Sequence, residues 1–396
     1  MSIKTLSELF LVAVGHQKPD CLLHKVDGRF RPVSTAELHD RVLRLAAALI
    51  ALGVERGDRV GLMAENGPHW PSVDFATLGL GAVLVPVYPT LTPDQASYVI
   101  NDCGAEVVFV QGTKRLEGLL GEKAAMPNVR KLILIDGEPP SSEIDSFAKL
   151  LEETAPMDAG EFEESARKSS VEDLATFIYT SGTTGNPKGV MLTHGNIASN
   201  VVNALKVLDI HSEWTALSFL PLSHSFERMV DYIYFYRGAT IAYAESIQAV
   251  AKNFQEVNPH VFVSVPRVYE KVLAKVRENV AGSPPLKQKI FGWAVDVARK
   301  ALPYRLQRRT PSGLLGVQLG LADKLVFGKI KERLRHVRWR PAGPRSGRVL
   351  LGYGDRDLRG IRPVGDFART MCQQPRCRKA RNRRSRDTRG GAQDRR

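Results

Sequence analysis

The feature of this sequence that most constrains its fold is an eleven-residue stretch, 179–189, dominated by glycine and hydroxyl side chains. It reads Tyr-Thr-Ser-Gly-Thr-Thr-Gly-Asn-Pro-Lys-Gly, follows the apolar run 174–179 and precedes a helical pattern that begins at about Thr193. Glycines let the backbone approach an anion, N–H groups and hydroxyls donate to its oxygens, and the lysine adds positive charge. The pattern therefore predicts a strand, a phosphate-binding loop and a helix, in that order.

The stretch differs from a Walker A loop, in which a Gly-Lys pair is followed by Ser or Thr. Here Lys188 lies three residues after Gly185 and is followed by Gly189. A surface loop without a ligand is the alternative. An ordered string of this kind directly after a strand favours a binding loop.

This string resembles the phosphate-binding signature of the AMP-forming adenylate ligases, a superfamily of acyl-CoA synthetases, luciferases and peptide-synthetase adenylation domains. The resemblance implies that the loop contacts the β- and γ-phosphates of ATP, and that the hydroxyl of Thr180 lies nearest to the magnesium ion. The residues that the resemblance assigns to ATP are Tyr179, Thr180, Ser181, Gly182, Thr183, Thr184, Gly185 and Lys188.

A second segment, residues 220–229, narrows the branch of the family. Its sequence, Leu-Pro-Leu-Ser-His-Ser-Phe-Glu-Arg-Met, resembles the version in long-chain fatty acyl-CoA synthetases. There, a histidine at the position of His224 lines the pocket near the acyl carboxylate, so His224 and Lys188 are the candidate catalytic residues. A histidine that caps or packs at a strand-to-helix turn is the structural alternative. Residues 86–92 and 265–272 resemble further stretches of the family, and the resemblance covers about residues 5–335.

The composition changes where the resemblance ends. Residues 335–396 contain 18 Arg and one Lys against five Asp and no Glu, a net charge of +14 that equals that of the whole chain. Only eight of these 62 residues are Leu, Ile, Val or Phe, too few to offset the entropy of ordering the segment. We therefore expect residues 336–396 to form a disordered basic tail. Residues 1–334 have a net charge of zero.

Basic tails can contact nucleic acids or membranes. This tail has almost no lysine, and nothing in the neutral part before it supports a specific nucleic-acid partner. A frameshift near residues 335–340 of a longer enzyme explains the arginine-rich composition. Under this hypothesis Gly352-Tyr353-Gly354 only mimics the family motif Gly-Tyr-Gly-x-Thr-Glu. The acidic magnesium ligand, the ribose-binding aspartate and the distal lysine of the family are then missing.

Strand-like and helix-like patterns alternate between residues 35 and 335, which is typical of layered α/β proteins with largely parallel sheets. The resemblance implies the layered α/β/α subdomains of an adenylate-forming enzyme's N-terminal domain, here truncated. We expect a first α/β subdomain over 1–150 and a second over 171–335, which carries the phosphate loop and a helical segment at 284–334. The polar stretch 137–170 is the expected boundary. Strands are predicted at 59–64, 83–87, 106–110, 129–135, 215–220, 240–243 and 261–265.

Further patterns bear on location and cysteine chemistry. The chain has no run of about 18 apolar residues and no signal-peptide layout at its start, so we expect a cytoplasmic protein without a membrane span. A peripheral membrane contact stays open. Cys21 and Cys103 are isolated in the sequence, and Cys372 and Cys377 have no histidine nearby to complete a zinc set, which favours reduced thiols.

The resemblance implies a two-step reaction. A fatty acid carboxylate attacks the α-phosphate of Mg²⁺-bound ATP and releases pyrophosphate, and the thiol of CoA then displaces AMP. Three interpretations remain: a long-chain fatty acid–CoA ligase, an inactive fragment that still binds triphosphate and, least favoured, a nucleic-acid-binding protein. The small-molecule partners in the first interpretation are ATP, Mg²⁺, CoA and a fatty acid.

Overall fold

The computed structural model describes residues 3–180, 186–206, 208–306, 309–328, 338–341 and 350–353. Their strands are β1 (Leu22–Val26), β2 (Arg29–Val33), β3 (Arg59–Met63), β4 (Val83–Pro86), β5 (Val107–Val110), β6 (Lys131–Leu134), β7 (Asp145–Ser146), β8 (Leu174–Thr180), β9 (Lys188–Thr193), β10 (Thr215–Ser218), β11 (Thr240–Tyr243), β12 (Val261–Ser264), β13 (Arg338–Pro341) and β14 (Leu350–Tyr353). The predicted α/β fold is therefore confirmed, and each predicted strand has a counterpart.

The helices alternate with these strands. They are α1 (Leu6–Gly15), α2 (Thr35–Ala51), α3 (His69–Gly79), α4 (Pro93–Cys103), α5 (Thr113–Gly121), α6 (Phe147–Glu153), α7 (Ala159–Arg167), α8 (His194–Leu205), α9 (Ser225–Arg237), α10 (Val250–Val257), α11 (Pro266–Ala281), α12 (Pro285–Leu306) and α13 (Gly313–Ala322). Of these helices, none is both long and apolar enough to cross a membrane.

The strands form two seven-stranded sheets. Sheet 1 has the order β7-β6-β5-β3-β4-β8-β9, and sheet 2 has the order β13-β14-β12-β10-β11-β1-β2. In sheet 1 every neighbouring pair is parallel except β8 and β9. In sheet 2 the central strands β12, β10, β11 and β1 are parallel, and antiparallel strands are added at both sides. Parallel strands need helical crossovers, which accounts for the alternation in the sequence.

The two sheets do not divide the chain as the expected subdomains do. Strands β8 and β9, from the second expected subdomain, complete sheet 1, whereas β1 and β2, from the first, complete sheet 2. Residues 1–150 and 171–335 thus contribute strands to both sheets. The periodicity of a sequence identifies a strand, but the neighbour of that strand depends on packing between distant segments.

The polar stretch 137–170 does not act as a linker. It contains α6 and α7, and it buries Phe147 and Phe162. Phe162 lies edge-on to Phe10 with ring centroids 6.0 Å apart, so α7 packs onto α1. A few apolar residues at helical spacing are sufficient to attach a mostly polar helix to the core.

One core joins the two sheets. It contains Leu62 and Leu84 of sheet 1 together with Ile241 and Phe262 of sheet 2. Helices α3 and α9 are buried along almost their whole length. They therefore occupy the interior, and polar side chains on them must be paired inside the protein.

The expected helical segment 284–334 is interrupted. Helix α12 ends at Leu306, residues 309–312 are not helical, and α13 continues into a π-helical turn over Asp323–Phe327. Val297 and Ala301 are buried, whereas Leu302 is 53% exposed. Residues 329–334 lie outside the described residues.

Only two short strands of the expected tail are described. β14 pairs antiparallel with β12, and β13 pairs with β14. Gly352 and Tyr353 therefore lie in a strand added to sheet 2. The other residues of 336–396 lie outside the described part of the chain, so the disorder of the tail stays a prediction. Cys21 and Cys103 are free, buried thiols, and the other two cysteines belong to the tail.

Candidate functional site

The glycine-rich stretch connects the two strands of a hairpin. Thr180, at the end of β8, pairs with Lys188, at the start of β9, and both residues are exposed. Because β8 is parallel to β4, this hairpin turns at the carboxyl edge of sheet 1. Ligands of open α/β sheets bind outside the carboxyl ends of the strands. The mouth of the loop therefore presents one hydroxyl and one ammonium group at the edge where a ligand is expected.

The predicted order of strand, loop and helix needs a correction. Strand β9 lies between the loop and α8, which begins after its N-cap residue Thr193. Six residues of strand place the start of α8 about 20 Å further along the chain. The loop is thus the connection of a hairpin, and the N–H groups at the start of α8 do not directly follow it. The prediction missed β9 because its apolar residues continue into the pattern of α8.

The central residues of the loop, Ser181, Gly182, Thr183, Thr184 and Gly185, lie outside the described residues. Their assignment to the phosphates of ATP stays a prediction. The structure describes both flanks of the loop, up to Thr180 and from residue 186 onward.

Tyr179 directs its side chain into the protein. It is 7% exposed, and its hydroxyl donates to Asp102 Oδ2 at 2.6 Å. A Cβ atom at Gly189 would lie 3.0 Å from Cζ of this ring, so the glycine makes room for the tyrosine. Burial and the bond to Asp102 raise the pKa of Tyr179, which keeps the hydroxyl protonated as a donor. The side chain therefore connects the hairpin to α4, and the ATP contact assigned to Tyr179 from sequence stays a prediction.

His224 lies in the segment between β10 of sheet 2 and α9. Its Nδ1 accepts a hydrogen bond of 3.2 Å from the backbone N–H of Phe226, which caps the helix. The capping role considered as the structural alternative is therefore present. With Nδ1 as acceptor, the neutral ring carries its proton on Nε2. Partial desolvation lowers the pKa of His224, although the residue keeps an exposed edge, and this favours the neutral ring.

Asn66 connects the carboxyl edge of sheet 1 to the segment that carries His224. It follows β3 and donates from Nδ2 to the carbonyl of Leu220 at 2.8 Å. Its Oδ1 accepts from the N–H of Leu222 at 3.0 Å. One amide side chain thus satisfies two backbone groups of the other sheet's loop. The sequence patterns gave no signal for Asn66, because its two partners lie 154 and 156 residues away.

A buried arginine connects the helix that begins at His224 with β8, the strand that leads into the loop. Arg228 lies one helical turn after His224 in α9, and its Nη1 donates to Thr176 Oγ1 in β8 at 2.7 Å. Thr176 lies four residues before Thr180. The structure therefore ties the helix that begins at His224 to the strand that ends at the loop, through contacts closed to solvent.

The described residues do not form a resident magnesium site. Thr180 is exposed at the mouth of the loop, but within the described ranges no group of three or more His, Cys, Asp or Glu side chains could hold a metal ion. Magnesium usually keeps several waters and binds through one or two carboxylates together with substrate phosphates.

Solved structures share the fold. A fatty acyl-CoA synthetase from Mycobacterium tuberculosis aligns with a TM-score of 0.58 and 21% identity, over 67% of this chain and 50% of that one. The anthranilate CoA ligase AuaEII, in complex with anthranoyl-AMP, aligns with a TM-score of 0.59 and 22% identity, over 67% and 50%. At this identity the likeness concerns the fold alone.

Curated relatives are more similar in sequence. The long-chain-fatty-acid–CoA ligase FadD15 of Mycobacterium bovis is 31% identical over 346 residues, which cover 85% of this chain and 56% of the relative. The peroxisomal long chain acyl-CoA synthetase 7 of Arabidopsis thaliana is 33% identical over 308 residues, which cover 73% and 41%. The chain thus spans about half the length of these relatives. The profile of the AMP-binding enzymes matches residues 14–339, and the chain therefore belongs to the AMP-binding enzyme family.

Proposed function

We propose that this chain is the nucleotide-binding part of a long-chain fatty acid–CoA ligase and that the loop between β8 and β9 binds the β- and γ-phosphates of ATP. The observation that carries the proposal is the pairing of Thr180 with Lys188 at an exposed loop mouth on the carboxyl edge of sheet 1. The matching relatives, named as long-chain acyl-CoA synthetases and ligases, support the substrate class.

In this proposal the protein mainly positions the substrates and neutralises the negative charge of the phosphates. The ammonium group of Lys188 offsets negative charge on a phosphate oxygen, and the hydroxyl of Thr180 lies near the magnesium ion that enters with ATP. The fatty acid carboxylate attacks the α-phosphorus and the bond to pyrophosphate breaks. The thiol of CoA, after loss of its proton, then attacks the acyl carbon and AMP leaves. His224, as a neutral ring with its proton on Nε2, is suited to donate a hydrogen bond to the acyl carboxylate.

A second candidate is a fragment that binds triphosphate without completing the reaction. The loop mouth formed by Thr180 and Lys188 would be sufficient for this candidate. The two candidates share the phosphate-binding loop and differ only in turnover. Nucleic-acid binding through the basic tail is not proposed, because no described residue supports it.

Calorimetric titration with Mg²⁺-ATP tests the loop. Lys188→Ala should weaken ATP binding by about one to two decades, because it removes a charged hydrogen bond. Lys289→Ala, an exposed lysine on α12, is the matched control and should bind ATP as the unmodified chain does. Equal ATP affinity in all three proteins would exclude this role of the loop.

Exchange of radioactive pyrophosphate into ATP separates the two candidates. Exchange that depends on added palmitate would identify the ligase. ATP binding without palmitate-dependent exchange would identify the binding fragment. If the chain shows neither ATP binding nor pyrophosphate exchange, both candidates are contradicted.

A further inference from the structure

One face of α4 contacts both flanks of the phosphate loop. Tyr98 and Asp102 are four residues apart in α4, so they lie on the same side of the helix. Asp102 Oδ2 accepts from the hydroxyl of Tyr179 in β8 at 2.6 Å. The hydroxyl of Tyr98 donates to the carbonyl of Pro187, just before β9, at 3.4 Å. The two contacts are made on the two opposite flanks of the loop.

The hairpin needs such support because of its position in sheet 1. Among the described strands, β9 is the outermost of that sheet, with β8 as its only strand neighbour. The ladder between β8 and β9 also contains an irregularity between Leu174 and Thr176. An edge strand has a ladder on one side only, and a slip of one residue would turn every side chain to the other face. Lys188 would then leave the loop mouth.

Two features oppose such a slip. The ring of Tyr179 lies against Gly189, which has no side chain to displace it, so the observed register fits the pair. The short hydrogen bond to Asp102 has the length expected when a carboxylate accepts from a hydroxyl, a type stronger than a bond between neutral groups. The ring and its hydroxyl together therefore hold β8 against α4 in one register.

We propose that Tyr98, Asp102 and Tyr179 are positioning residues, which hold the two flanks of the loop on α4 and thereby fix Lys188 for a phosphate group. The inference rests on the proposed phosphate-binding role of the loop. None of the three side chains needs to touch the ligand, because they act through the hairpin. The class of ligand is a polyphosphate, with ATP and inorganic tripolyphosphate as its simplest probes.

The test uses variants that remove a hydroxyl and keep the ring. Tyr179→Phe leaves the exposed carboxylate of Asp102 to water and retains the packing against Gly189. Tyr98→Phe leaves the carbonyl of Pro187 to water. We expect each variant to stay folded and to unfold cooperatively, with a midpoint lowered by no more than about 5 °C, as a loss of about 1–2 kcal/mol would give. We expect each to bind Mg²⁺-ATP and tripolyphosphate about three- to tenfold more weakly.

Two comparisons distinguish positioning from a merely structural role. In a Lys188→Ala background, Tyr179→Phe should cause no further loss of ATP affinity, because the group to be positioned is gone. Asp102→Asn keeps an acceptor oxygen and should retain more affinity than Tyr179→Phe. Tyr304→Phe, which removes an exposed hydroxyl on α12, is the control and should change nothing.

Amide hydrogen exchange, followed by mass spectrometry, measures the local stability of the hairpin in the absence of ligand. Peptides that cover residues 186–192 should exchange faster in Tyr98→Phe and Tyr179→Phe, while peptides from α3 and α9 stay protected. Unchanged exchange at 186–192 would overturn the proposal, and so would faster exchange with unchanged ATP affinity. If the unmodified chain binds no ATP, the proposed function fails, and the exchange data alone still decide whether α4 holds the hairpin.

Discussion

Arg228 of α9 and Asp74 of α3 form an ion pair that is closed to solvent, with side chains 3% and 2% exposed. The hydroxyl of Tyr232 also donates to Asp74 Oδ2 at 2.7 Å. The guanidinium carbon of Arg228 lies 5.2 Å from the ring centre of Trp70, within the range of a cation–π contact. The pair therefore has its hydrogen bonds satisfied, and it joins the two interior helices beneath the candidate site.

Removal of one partner of this pair should be costly. Asp74→Ala leaves a buried guanidinium without its counter-charge, and we expect a loss of about 3–5 kcal/mol in the free energy of unfolding. The double variant Asp74→Leu with Arg228→Met should lose less, because no buried charge is left uncompensated. Urea unfolding followed by circular dichroism measures both.

The exposed pair Arg167–Glu163 is the control, since both side chains are about half exposed. Arg167→Ala should cost no more than about 0.5 kcal/mol. Similar losses in Asp74→Ala and Arg167→Ala would contradict the role assigned to the buried pair.

Two buried carboxyl groups on α9 predict a pH dependence. Desolvation raises the pKa of Asp231 to about 7 and that of Glu227 well above its ordinary value. A carboxyl whose pKa is raised by folding binds protons more tightly in the folded chain than in the unfolded chain. The stability it contributes is therefore complete below its unfolded pKa of about 3.8 and is lost as the pH rises through about 7.

Asp231→Asn should remove this dependence. We expect the free energy of unfolding of the variant, relative to that of the unmodified chain, to increase from pH 5 to pH 7 and then to level. Urea titrations at four pH values between 5 and 8 provide the measurement. Asp27→Asn, at an exposed turn, controls for the chemical change. An equal pH trend in both variants would refute the assignment to Asp231.

Gly79 is predicted to tolerate no side chain. A Cβ atom there would lie 2.1 Å from Cζ of Phe162, a buried ring of α7. Gly79→Ala should lower the free energy of unfolding by about 1–3 kcal/mol because it overpacks the core. Phe162→Leu in the same chain should recover part of the loss, which thermal unfolding can measure.

Gly292 in α12 provides the matched control. No atom lies within 4 Å of a Cβ placed there. Gly292→Ala should therefore stabilise the helix by up to about 1 kcal/mol. Destabilisation of equal size at both glycines would show that the contact with Phe162 is not the cause at Gly79.

Asn66 allows a test of the connection between the sheets. Asn66→Ala removes the partners of the Leu220 carbonyl and the Leu222 N–H, and a loss of about 1–3 kcal/mol is expected. Asn66→Asp keeps an acceptor for the N–H of Leu222 but has no donor for Leu220. Residue-resolved hydrogen exchange should then show Leu222 protected in Asn66→Asp and faster in Asn66→Ala. The same protection of Leu222 in both variants would disprove the contact.

Local patterns in the sequence were sufficient for many of the elements and for the family. β11 was predicted at 240–243 and is observed at Thr240–Tyr243, because an apolar run between turn residues is a local signal. The glycine-rich string and the segment around His224 likewise identified the AMP-binding enzymes, whose profile covers residues 14–339. Strand periodicity and motif chemistry depend on residues that are close together in the chain, so they can be predicted from the sequence.

Only the tertiary structure decided which strands share a sheet and which side chains support the site. The bond between Tyr179 and Asp102 joins residues 77 positions apart, and that between Asn66 and Leu220 joins residues 154 positions apart. No local periodicity records such contacts, because each depends on how separate strands and helices pack around one core. The same packing placed β8 and β9 in sheet 1 and β1 and β2 in sheet 2. It also buried the side chain of Tyr179 against Asp102 of α4.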